Sequence, residues 1–338
     1  MRPVGAAILL AALLFVGARR IGPAPALGAF LDPAHGVWAL ARNAELPNAS
    51  SDVVGTLGSL VEVRYDRRGV PHIFATKEED AYRALGYVVA RDRLFQLWIQ
   101  SIAAAGRLTE IAGPRALPLD REMRRLGMTW SAERKMAQLD SSTARLTSAY
   151  ADGVNAYIAH MSRDELPLEF RLLGMKTVPK WEPINSILLF NRMGWTLAYI
   201  APELERALAA TRVGTTAAAS LFPENSPIQE PIVPNGRRGP RFDFTKLAPP
   251  GASDGEVAQT LVAALGDFMP ASAAALGTPD EPRAFASNNW AVAPSHSATG
   301  NALLAGDPHL ELTLPSIWYE AQMVVPAELD VYGVTIPG

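Results

Sequence analysis

The sequence predicts a mixed α+β protein, and three observations carry that expectation. Apolar residues recur at helical spacing through long stretches between Lys77 and Glu205. Short alternating runs bounded by turn residues occur at 61–75 and again beyond Ser287, the pattern of half-buried strands. Between these blocks, from about Pro223 to Ala286, lies a Pro-, Gly-, Ala-, Ser- and Asp-rich stretch whose one convincing apolar period is near 256–268. A structureless segment of that length is uncommon inside a compact domain unless it has a job.

In chain order, Arg2 precedes an apolar run from Val4 to Val16, followed by Arg19 and Arg20, and Ala24-Pro25-Ala26 offers a small-residue cleavage site. This reads as an export signal, with cleavage and retention as an anchor both open. The run is short for a span of about 20 residues. Residues 27–60 lead into the fold. Val61–Tyr65 reads as a strand, Asp66-Arg67-Arg68-Gly69 as a turn and Val70–Ala75 as a second strand. Ala81, Leu85, Val88, Val89, Phe95, Trp98, Ile99 and Ile102 then mark a helix, and Thr76 with Glu79 fits a capping box. Leu139, Leu146, Tyr150, Val154 and Ile158 predict more helix over 117–160. Trp181-Glu182-Pro183 marks a loop, 184–200 a helix, and Pro202 begins another. After Ser287, 289–293 and 302–305 read as a hairpin closed by Ser297–Asn301, with further strands at 318–325 and 329–334.

Composition bounds the function. Net charge is −3 with no basic stripe, which argues against a nucleic-acid partner. The absence of cysteine excludes disulfides, thiol catalysis and thiolate metal sites. The informative residue is Ser287, at the point where the loose stretch turns into strand. A serine so placed suggests a nucleophile exposed by cutting the chain, whose freed α-amino group then serves as its base. His309 follows in Gly306-Asp307-Pro308-His309-Leu310.

These residues resemble the penicillin acylase family of N-terminal-nucleophile hydrolases, which includes penicillin, cephalosporin and acyl-homoserine-lactone acylases. The resemblance covers about 61–205 and 287–338. It rests on Arg64-Tyr65-Asp66 with Gly69-Val70-Pro71-His72-Ile73, on 86–96, on Gly106-Arg107-Leu108, on 150–156 and on Trp181-Glu182-Pro183. Its strongest parts are Ser287-Asn288-Asn289-Trp290 and Gly306–Leu310.

The resemblance implies an αββα sandwich with a mostly helical α-chain, incomplete in this chain. It implies a signal or anchor at 1–26, an α-chain region at 27–232, a spacer at 233–286 and the start of a β-chain at 287–338. Ser287 matches the nucleophile, Ala286–Ser287 the self-cleavage bond, and His309 a residue that contacts the nucleophile and assists its maturation. Glu203 matches a calcium-binding glutamate, with no organic cofactor implied. Met193, Trp195, Leu197, Leu310 and Ile317 are candidates for the acyl pocket, with a core role as the competing reading. The implied product is an exported α/β heterodimer, tethered to the membrane if the N-terminus is retained. It hydrolyses small-molecule acyl amides of the β-lactam side-chain or acyl-homoserine-lactone type, and His309 tilts the acyl group toward aliphatic or glutaryl chains. The family's β-chain extends well beyond the position of Gly338, so its oxyanion donors, an essential Asn and most calcium ligands fall outside the match. A catalytically incompetent fragment, an acylase completed by a separate β-chain and a membrane-tethered binding protein are the rival expectations. Asp307 is assigned a turn role, and Asn288, His72, Asp92 and Arg93 structural ones.

Overall fold

The first hairpin of the computed structural model forms where the alternation predicts it, from Glu62–Tyr65 (β1) and Pro71–Phe74 (β2). Its turn is fixed by Asp66, whose Oδ1 accepts from the N–H groups of Arg68 at 2.8 Å and Val70 at 3.0 Å. Gly69 supplies the positive φ of 78° that closes it. The structure describes residues 2–19, 28, 57–162, 165–197, 202–222, 287–310 and 312–338. The proposed leader cut at 24–26, the spacer 233–286 with its 256–268 period, and Ala286 lie outside the described residues.

The described residues belong to two compact units, Met1–Arg192 with Arg283–Gly338, and Met193–Pro282. In the first, the strands Tyr319–Val325 (β5) and Leu329–Thr335 (β6) extend the β1–β2 hairpin into a sheet of order β1-β2-β5-β6. β2 and β5 are parallel, with His72 opposite Gln322, and the other two pairs are antiparallel. The seam is reinforced where His72 Nδ1 and Gln322 Oε1 meet at 2.7 Å. A second sheet is the hairpin of Ser287–Val292 (β3) and Leu303–Pro308 (β4).

The core lies where the long helices meet the first sheet. Arg2–Gly17 is helical (α1), and no helix among the described residues is long and apolar enough to cross a membrane. Glu78–Ala104 (α2) places Glu78, Glu79 and Asp80 at the positive end of its dipole. The predicted capping box does not form. Lys77 is the N-cap without a side-chain bond, and Thr76 Oγ1 meets Ser59 Oγ at 2.7 Å instead. The segment is anchored by buried Asp80, which accepts from Gly58 N, Ser59 Oγ and Arg83. Arg93 leaves helical geometry (φ −138°, ψ 21°) and kinks α2.

The predicted helical stretch 117–160 is three helices after the short Thr109–Ala112 (α3): Leu117–Arg125 (α4), Met128–Met136 (α5) and Ser141–His160 (α6). Gly127, at φ 68°, separates the first two. Asp140 starts the third by accepting from the N–H groups of Ser142 and Thr143, so Leu139 lies between helices rather than on a helical face.

α6 crosses α2 at two glycines. A Cβ on Gly153 would sit 1.9 Å from the carbonyl oxygen of Arg83, and one on Gly86 2.1 Å from that of Tyr150. This close approach lets Leu85, Val88, Val89 and Leu97 share a core with Tyr150, Val154 and Tyr157, with Ile73, Tyr319 and Val325 of the sheet against them. Leu168–Leu172 (α7) contributes Phe170, wholly buried, edge-on to Phe95 at 5.2 Å and close to Trp98 at 5.1 Å. Pro183–Leu197 (α8) begins two residues after Trp181, which is fixed by Asn155 through bonds to both its N–H and its carbonyl. In the second unit, Pro202–Val213 (α9) and Thr215–Leu221 (α10) are joined at Gly214, whose φ is 86°.

Candidate active site

Ser287 is the first residue of β3 and is exposed. Strand pairing sets it opposite Pro308, with Asn288 opposite Asp307, so the end of β4 brings residues 307–309 alongside the serine. The N–H of His309 points at Ser287 Oγ at 3.4 Å, a long hydrogen bond. The imidazole is held elsewhere: its Nε2 lies 2.7 Å from Asp307 Oδ2. His309 thus meets the serine through its backbone and the carboxylate through its ring.

The turn role expected for Asp307 is corrected here. Asp307 lies within β4, and residues 307 and 309 are two apart, not adjacent. Positions i and i+2 of an extended chain share a face, so their side chains can meet. That spacing was the signal in the sequence that could have found the pair. Both side chains remain open to solvent, at 41% and 56% exposure, so bulk water weakens the pair's electrostatics.

Asn289, Ala291, Leu304 and Gly306 share the Ser287 face of the hairpin, and Trp290, Ala305, Val292 and Leu303 the other. Trp290, Leu303 and Leu304 are exposed. The acyl-pocket candidates occupy separate units. Leu310 and Ile317 are half-buried in the first. Met193, half-buried, and Leu197, 63% exposed, are in the second, at the end of α8. Trp195 is half-buried on the same stretch. Glu203 lies in α9, but its side chain is outside the described residues. Among the described residues no three His, Asp or Glu side chains are grouped as a metal site.

Asp92 and Arg93 sit away from the hairpin on α2. Asp92 accepts from Arg91 Nε at 2.9 Å and from the Tyr319 hydroxyl at 2.7 Å. Burial works to lower the Arg91 guanidinium, but Asp92 beside it prevails and holds it above its ordinary value. Burial and then Asp92 push the Tyr319 hydroxyl strongly upward. The group fastens β5 to α2, which suits a structural role. Gln96 does the same one turn on, donating to Ser316 O at 2.9 Å.

The Penicillin amidase family model matches residues 60–338. The chain is 37% identical over 299 residues to penicillin acylase 2 proenzyme of Pseudomonas sp. (strain SE83), covering 88% of this chain and 36% of that protein. It is 35% identical over 297 residues to the acyl-homoserine lactone acylase QuiP of Pseudomonas aeruginosa, covering 86% and 32%. The chain therefore spans about a third of the length of the curated relatives it matches. Among solved structures, a chain of thermostable penicillin G acylase from Alcaligenes faecalis matches 54% of this chain and 98% of its own length, at 27% identity and a TM-score of 0.44.

Proposed function

The chain belongs to the penicillin amidase family, and from that premise we propose that it is part of the precursor of an amide-hydrolysing acylase whose nucleophile is Ser287. One observation carries this reading: an exposed serine opens β3 with a backbone N–H aimed at its Oγ. The names of the relatives, a penicillin acylase and acyl-homoserine lactone acylases, support small acyl amides as substrates.

In maturation Ser287 Oγ attacks the carbonyl carbon of Ala286. A C–O bond forms, the C–N bond breaks, and the hydroxyl proton ends on the departing amine. Water then opens the ester, releasing a carboxylate at Ala286 and a free α-amine at Ser287. That amine has a reference pKa of about 7.7–8.0, so a useful fraction is neutral near pH 7.5. It takes the hydroxyl proton as Oγ attacks the substrate carbonyl, and returns it to the leaving amine. Water hydrolyses the acyl-serine. The His309 N–H stabilises negative charge gathering on Oγ in both attacks.

The wider reading has the chain cut into an α/β heterodimer with spacer 233–286 removed, exported by its N-terminal apolar segment, and completed as an αββα sandwich. The hairpin's exposed faces and the helices packed on the four-stranded sheet suit that architecture. Leu310 and Ile317 are proposed for the acyl pocket. Glu203 is proposed as one ligand of a structural calcium site, which would support the fold and not the chemistry.

The test is maturation of the full-length precursor. The new chain begins Ser287-Asn288-Asn289-Trp290, and Ser287→Ala leaves a single uncut chain. A cut elsewhere on N-terminal sequencing, or cleavage of the alanine variant, would falsify the assignment.

A further inference from the structure

We infer that Leu97, Tyr150, Trp181 and Leu189 form a socket for the segment Ile336-Pro337-Gly338, and that this segment is a latch that helps hold the Ser287 piece on the helical piece once the chain is cut. This rests on the cut at Ala286–Ser287 proposed above. The latch directly follows β6, so it belongs to the piece that begins at Ser287. The socket residues lie on the other side of the cut, on α2, α6, α8 and the loop before α8.

The segment suits insertion residue by residue. β6 is exposed from Asp330 to Thr335, and the chain then turns inward: Ile336 is half-buried and Pro337 wholly buried. Proline has no N–H, so burying it strands no donor. The next donor, the N–H of Gly338, is received by the Tyr150 hydroxyl at 3.0 Å. Gly338 has a φ of 111°, and a Cβ on it would lie 2.1 Å from Leu189 Cδ1, 3.2 Å from Leu97 Cδ2 and 3.4 Å from Trp181 Cζ2. Conformation and space therefore both select glycine at this position.

The socket is built by contacts within the helical piece. Leu97, Trp181 and Leu189 are buried in the core there. Asn155 fixes Trp181 through both its N–H and its carbonyl. Tyr150 sits where α6 meets α2 at Gly86. Burial pushes its hydroxyl pKa upward, outweighing the Gly338 N–H, so the acceptor stays neutral. The strand seam between the two pieces is short: β2 and β5 pair only over 72–74 and 322–324. The latch adds a second attachment at the far end of the β5–β6 hairpin.

The experiment measures how tightly the two pieces of the matured full-length protein stay together, by native gel and size exclusion over a dilution series. Tyr150→Phe adds no atom and leaves the buried Gly338 N–H unpaired, and should weaken association about tenfold. Gly338→Ala weakens it further. Gly333→Ala is the control on β6, because nothing lies within 4 Å of its added carbon, and it associates as wild type does. Wild-type association of Tyr150→Phe overturns the latch, as does an equal loss in Gly333→Ala. If Gly338→Ala fails to fold, Tyr150→Phe decides alone. A Ser287→Ala precursor carrying a protease recognition sequence within 233–286 yields the two pieces without self-cleavage, and the same order of association is expected there. Failure of the nucleophile reading shows instead as a wild-type precursor that stays uncut, a separate outcome.

Discussion

His309 meets Ser287 through its main chain and Asp307 through its ring, so the two halves of one residue have separable roles. Replacing His309 with alanine deletes the ring and keeps the N–H on Oγ. His309→Ala is expected to slow self-cleavage by about 10²–10⁴-fold, the usual loss for one positioned acid–base group. The N–H contact and the fold survive. Splitting followed by gel at the wild-type rate would return the ring to a purely structural role.

Turnover of the matured enzyme should respond less to the same change. There the α-amine of Ser287 is free and serves as base. Mature wild-type and His309→Ala enzymes, compared on a chromogenic phenylacetyl or glutaryl anilide, should differ by a smaller factor than their maturation rates do. Equal losses in both assays would mean that the ring works on the mature nucleophile too.

The crossing of α2 and α6 depends on the lack of a Cβ at two positions. At Gly153 the added carbon would lie 1.9 Å from a backbone oxygen, which cannot rotate away. Gly153→Ala and Gly86→Ala should each destabilise the first unit by about 3 kcal/mol or more, by pushing the helices apart. Urea unfolding midpoints check this. Gly194→Ala is the control, since nothing lies within 4 Å of its added carbon. It should leave the midpoint near wild type.

Much of this framework was legible in the sequence. The α2 period, the Asp66–Gly69 turn and the Ser287 hairpin are local, and local patterns report themselves. The split of 117–160 was missed because helical periodicity ran across both breaks, although Gly127 and the Asp140-Ser141-Ser142-Thr143 cap were visible in the sequence. The parallel pairing of β2 with β5 joins residues 250 apart, and no short window contains it. The Asp307–His309 pair was lost to a wrong reading of strand geometry. The kink at Arg93 has no Pro or Gly to announce it.

Tyr319 provides a test of the structural role of Asp92. Its hydroxyl donates to Asp92 Oδ2 at 2.7 Å from a buried position, joining β5 to α2. Tyr319→Phe keeps the ring and deletes the donor, leaving a half-buried carboxylate short of one bond. A loss of about 1–3 kcal/mol in unfolding free energy is expected. Self-cleavage, measured well below the unfolding midpoint, should be unchanged. A strong loss of cleavage in a still-folded Tyr319→Phe protein would bring Asp92 back as a working acid or base.

The neighbouring carboxylates of α4 give opposite pH signatures. Burial works to raise Asp120, but the Thr109 hydroxyl and the N–H groups of Thr109 and Leu108 outweigh it and hold its carboxyl below the ordinary value. A depressed folded pKa means stability present above the unfolded value and lost as pH falls through the folded one. Glu122 is also buried, its Oε2 has no partner, and burial raises its carboxyl. Its folded form binds the proton more tightly than the unfolded chain does. It therefore costs stability at neutral pH and costs progressively less as pH falls through its raised value. Glu122→Gln should raise the unfolding midpoint at pH 7, with the gain shrinking toward pH 4. Asp120→Asn should lower the midpoint at pH 7, with the loss shrinking below the ordinary aspartate range. Thermal unfolding of both variants from pH 3 to pH 8 reads the two slopes. A Glu122→Gln protein that is less stable at pH 7 than at pH 4, relative to wild type, would show that its carboxylate has a partner that holds it ionised.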